Sequence, residues 1–140
     1  MADYYTSFSC LFDTGTPENA RRALELFQSF SDRLDREESS FPSFAVSLDR
    51  EDGGTALWIR DDDSYGDIEQ VTEFVVQCAR VLGLKGRWGF EWGHSCSKPR
   101  RAGFGGGAQV IDLETGDTDT WIGTSDWLHR QLAGDAAGRE

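Results

Sequence analysis

The groups best suited to chemistry crowd into one segment. Between Gly93 and Gly107 the chain carries His94, Cys96, Lys98, Arg100 and Arg101 ahead of Gly105, Gly106 and Gly107. Successive glycines let backbone N–H groups approach an anion closely, and the three cations would add charge-assisted hydrogen bonds. The segment therefore reads as a candidate phosphate or carboxylate site, although it lacks the glycine and lysine spacings of the nucleotide-binding loops. Paired instead with the protein's own acids, it is simply a structural loop. His94 and Cys96 stand two residues apart, which on an extended strand turns both side chains to one face, and nearby cations favour a thiolate. A nucleophile and base still need a third group to orient the histidine, and zinc needs three or four ligands. Cys10 and Cys78 fall on expected core faces, so no catalytic residue, metal or cofactor is assigned here.

The opposite charge gathers just upstream. From Asp49 to Glu73 nine acids (Asp49, Glu51, Asp52, Asp61, Asp62, Asp63, Asp67, Glu69, Glu73) face only Arg50 and Arg60, a local charge of −7 in a chain whose net charge is −11. From Arg80 to Arg101 six cations face Glu91 alone, a local charge of +5. Sorting of this kind governs partners and encounter rather than fold. Asp61, Asp63 and Gly66 stand where a calcium loop has its first, third and sixth residues, but Tyr65 and Thr72 occupy the fifth and twelfth. A solvated turn ahead of a helix N-terminus is the simpler reading.

These groups must be held by a fold, and the periodicities describe one. Alternation over Tyr4–Asp13 predicts a first strand. Thr16, Pro17 and Glu18 open a helix bearing Ala20, Ala23, Leu24, Phe27 and Leu34, stopped by the polar run Asp35–Ser40 and Pro42. Phe44, Val46 and Leu48 begin a second strand, joined through Glu51–Gly54 to a third over Thr55–Arg60. Asp67 caps a second helix that Gly83 ends, and Trp88, Phe90 and Trp92 mark a fourth strand. The order βαββαβ is that of a ferredoxin-like antiparallel sheet with two helices on one face. A hairpin over Ala108–Leu113 and Thr118–Thr124, then a short helix capped by Thr124 or Ser125, complete a single α+β domain over 1–134, with 135–140 as a frayed tail. Trp88 and Trp92 are expected in the core; Trp58 and Trp121 are candidates for an exposed contact patch.

A chain of 140 residues with five tryptophans and nine phenylalanines can bury roughly 65–70% of its unfolded surface in one core. No apolar run approaches the length of a membrane span, the first residues lack a signal-peptide pattern, and three widely spaced cysteines suggest reduced thiols. The expectation is a cytoplasmic protein.

The run Trp92-Gly93-His94-Ser95-Cys96-Ser97-Lys98-Pro99-Arg100, followed by Phe104-Gly105-Gly106-Gly107-Ala108, resembles a pattern in small acidic proteins of bacterial phages and plasmids, a group with no assigned activity. The resemblance covers mainly residues 55–113 and implies a mobile-element accessory role, including that of a host-defence inhibitor. The leading expectation is a non-enzymatic interaction module. Asp61, Asp62, Asp63, Asp67, Glu69 and Glu73, with Trp58, would engage a basic protein surface of the kind that binds nucleic acid. Direct nucleic-acid binding is disfavoured by the acidic surface, and no membrane partner is implied. Exposed edge strands would allow a homodimer. The alternative is a small-ligand site or enzyme built on His94, Cys96, Lys98, Arg100, Arg101 and Gly105–Gly107.

Overall fold

A computed structural model describes residues 3–62, 64–98 and 103–134. The chain is α+β, with three helices and two antiparallel sheets. Strands β1 (Tyr4–Ser7), β5 (Arg87–Cys96), β6 (Gly105–Asp112) and β7 (Thr120–Gly123) form one sheet in the order β1-β5-β6-β7. Strands β2 (Ser9–Asp13), β3 (Phe44–Asp49) and β4 (Ala56–Asp61) form the other in the order β2-β4-β3. Helices α1 (Pro17–Glu38) and α2 (Ile68–Leu82) cover the inner faces, and α3 (Thr124–Leu132) follows β7.

The first predicted strand is thus two strands in two sheets. The break falls at Phe8, whose N–H donates to Asp61 Oδ1 at 2.7 Å while its carbonyl accepts from Asp61 N at 3.0 Å. Beyond it Trp88 bridges the gap between sheets, its indole N–H donating to the Leu11 carbonyl at 2.8 Å. Phe8, Phe12, Leu57 and Ile59 nevertheless share one core with Phe90 and Ile111 across the two sheets. Phe27, Phe30, Phe44 and Phe74 join it with ring centroids 5.2–6.0 Å apart, and aromatic contacts of this geometry favour a well-defined interior.

Local signals set the helix ends. Thr16 Oγ1 accepts from Asn19 N ahead of Pro17, and Asp67 accepts from Glu69 N and Gln70 N, which satisfies amides that no helical carbonyl reaches. Helix α1 continues through the polar residues to Glu38 before Ser39 turns left-handed at φ 48°; exposed acids and arginine tolerate helix, so polarity alone does not stop it. The Gln70 side chain does not close a capping box. It accepts instead from Ser43 N and Oγ at 2.8 and 2.9 Å, tying α2 to the start of β3. Gly123 takes the N-cap position of α3, and Thr124 Oγ1 donates to the Gly106 carbonyl. No helix among the described residues is long and apolar enough to cross a membrane.

Candidate functional site

The acidic turn proves to be a structural clasp. Asp61 Oδ1 accepts from Phe8 N and Oδ2 from Ser64 N at 2.9 Å, so both oxygens are committed to backbone amides at the sheet break. Asp67 is committed to the first turn of α2. Glu73 pairs with Arg33 at 3.3 Å. Asp62 and Glu69 are exposed, and Asp63 lies outside the described residues. Gly66, at the place of the calcium-loop glycine, serves packing, because a Cβ there would collide with the Phe8 ring. Of the six acids read as one binding patch, three are therefore engaged within the molecule.

The glycine run is strand rather than loop. Strand β5 reaches Cys96 and β6 begins at Gly105, with Trp92 opposite Gly107 and Gly93 opposite Gly106. A Cβ on Gly107 would stand 2.5 Å from the Trp92 ring and 2.6 Å from the Ile122 carbonyl, and one on Gly106 would strike the Trp92 carbonyl. The absent side chains make room for an indole and a neighbouring strand, which is a full account of these two glycines without an anion. Lys98 is exposed; Arg100 and Arg101 lie outside the described residues. His94 has a partner that sequence could not name, Thr6 Oγ1 at 3.0 Å from Nδ1. Thr6 also receives the acidic turn, donating to the Ser64 carbonyl at 2.8 Å and accepting from Gly66 N at 3.0 Å. Strand β1 therefore lies between the Ser64–Gly66 turn and the His94–Cys96 end of β5.

Burial raises the thiols of Cys10 and Cys78 from 9.0 to about 11 and about 12. Cys78 is buried and Cys10 half-buried against the core, and the shift favours the protonated thiol in both.

The candidate site is a groove of about 630 Å³ between the first turns of α2 and the strands β6 and β7. Its floor is polar, with Thr72 Oγ1 donating to Gln109 Oε1 at 2.7 Å and Gln109 Nε2 donating to the Thr118 carbonyl at 2.9 Å. Trp92 and Trp121 supply aromatic wall, and the carboxylates of Glu69, Glu73 and Asp119 border it. Trp121 sits opposite Gln109 in register, so both side chains share the α2 face of the sheet. It is 64% exposed. Carboxylates beside tryptophan faces suit a cation, since both attract positive charge.

Trp58 does not belong to this groove. It stands beside Leu11 and Ser47 on the sheet face away from the helices, its Nε1 donating to Ser9 Oγ at 2.8 Å and Arg60 stacked 4.0 Å over its ring. Asp119 was missed in the sequence because nothing local connects a hairpin aspartate with α2. Trp121 is exposed as expected, but from the α2 face rather than from the face opposite its helices, and its neighbour Ile122 is exposed as well. Compared with known proteins, the chain matches no family model, no curated protein and no solved structure.

Proposed function

We propose that this protein is a non-enzymatic acidic interaction module whose groove between α2 and β7 receives basic side chains of a protein partner. The observation that carries the reading is the groove itself: Glu69 and Asp119, beside the Glu73–Arg33 pair, border the indoles of Trp92 and Trp121 in a cavity of about 630 Å³. Such a rim attracts lysine and arginine and excludes phosphate, and its pull is screened over ~8 Å at physiological ionic strength. Following the resemblance of the Trp92–Ala108 region to phage and plasmid proteins, the proposed partner is a host protein whose basic surface ordinarily holds nucleic acid, and the consequence of binding is inhibition. The ferredoxin-like reading of the first six elements is supported by the pairing of β5 with β1 and of β4 with both β2 and β3, with Phe8 as a break in the first strand.

The test is a pull-down from host lysate at low and moderate salt, with wild type beside Glu69→Gln/Asp119→Asn. A salt-sensitive basic partner that the variant loses, while its unfolding midpoint stays put, supports the reading. A partner retained equally by the variant sinks it.

A further inference from the structure

Strand β7 ends its sheet, and among the described residues nothing pairs with its outer edge. Open edges in native proteins are usually blunted by shortness, lysine, proline, a bulge or a covering element, and of these β7 has shortness, at four residues. The sequence Thr120-Trp121-Ile122-Gly123 has neither lysine nor proline, and its two large side chains are 64% and 41% exposed. The other terminal strand with an outer edge, β3, carries no exposed large apolar side chain. The outer side of β1 is met by the Ser64–Gly66 turn, and the Leu11 carbonyl on β2 is met by Trp88. Among the described residues the unmet edge with exposed apolar side chains is thus that of β7, which borders the acidic groove.

We infer that the groove takes its partner as an added strand: an extended basic segment pairs along β7 and turns every second side chain toward Trp121, Glu69 and Asp119. The inference rests on the interaction-module reading and deepens it. In an extended chain, alternate side chains lie on one face, and Trp121 already points to the α2 side, opposite Gln109. A lysine or arginine on that face would extend over Trp121 toward the carboxylates that border the groove. Backbone hydrogen bonds would give affinity, and the groove would give preference for alternating basic residues. Charge selects this occupant over a second copy of the chain. A β7-to-β7 pairing would bring Asp119 and the α2 acids of two chains, each of net charge −11, against one another, and like charges so placed disfavour association.

The test uses the intact protein and a short synthetic peptide of alternating lysine and threonine, read by calorimetry and tryptophan fluorescence. Two further peptides carry N-methyl groups, on the lysines only or on the threonines only. In an added strand the amides of one parity face β7 and those of the other face solvent, so one methylated peptide should bind about tenfold or more weakly and the other about as well as the parent. Binding should also fall with Trp121→Ala, and the β7 amides should gain protection from hydrogen exchange with peptide bound. If both methylated peptides bind equally while Glu69→Gln/Asp119→Asn still abolishes binding, strand addition is overturned and the acidic groove stands. If none of the peptides binds, the groove reading falls with it. A dimer in sedimentation without peptide, with β7 amides already protected, would overturn the proposal in favour of a second copy.

Discussion

Asp61 and Glu69 flank the same turn between β4 and α2, yet their carboxylates meet different surroundings. Both oxygens of Asp61 accept backbone N–H groups, from Phe8 and Ser64, and fasten the point where the first strand leaves one sheet for the other. Among the described residues no protein donor reaches the Glu69 carboxylate, which borders a groove walled by Trp92 and Trp121. The first is a clasp and the second is available to a partner. The contrast shows that a block of negative charge in sequence is not a unit of function. What divides it is whether backbone amides elsewhere in the chain have already claimed the oxygens.

Several substitutions would break or sharpen this contrast. The largest effect is expected at the groove wall, where Gly107→Val places a branched side chain against Trp92 and the Ile122 carbonyl; a loss of about 3 kcal/mol or more in urea unfolding is expected, since neither neighbour can withdraw freely. Next, Asp61→Ala should cost about 2–3 kcal/mol by removing two hydrogen bonds to a charged acceptor. An Asp61 variant with native stability would show that the clasp is incidental. For Trp121→Ala combined with Glu69→Gln, stability should stay within about 0.5 kcal/mol, because both sites are exposed, while partner affinity drops about tenfold or more. Asp62→Asn is the smallest, expected to leave stability within about 0.5 kcal/mol and binding nearly unchanged, as an exposed acid outside the groove should.

A titration separates core from surface in another way. The folded protein holds the Cys10 and Cys78 protons well above 9.0, to about 11 and about 12. In the unfolded chain both thiols lose their protons near the ordinary value. Their contribution is therefore full below that value and is lost as pH rises toward the folded values. Thermal midpoints should be level near neutrality and fall above pH 9.0, and the alkaline decline should be shallower in Cys10→Ala than in wild type. Ellman's reagent should label Cys78 only on unfolding.

Much of the architecture was legible because its causes are local. The Thr16-Pro17 start of α1, the Asp67 cap and left-handed Gly83 of α2, and the alternation of Leu57, Trp58 and Ile59 each depend on neighbours within a turn or two. The full length of β5 was not legible, since Gly93 and the serines beyond Trp92 carry no strand preference; pairing with β1 on one side and β6 on the other holds them extended. In the same way, Gly107 reads as a ligand cradle until the Trp92 ring is found above it.

From sequence alone came the α+β class, the acidic and basic blocks, and the exposure of Trp58. These follow from composition and from the periods of strand and helix, which every short segment carries with it. Only the tertiary structure decided that the first strand breaks at Phe8, that Asp61 closes that break, and that Asp119 joins Glu69 and two tryptophans around one groove. Each of those facts is a meeting of groups far apart in the chain. Such meetings are set by strand register and by competition for backbone donors, neither of which local sequence encodes.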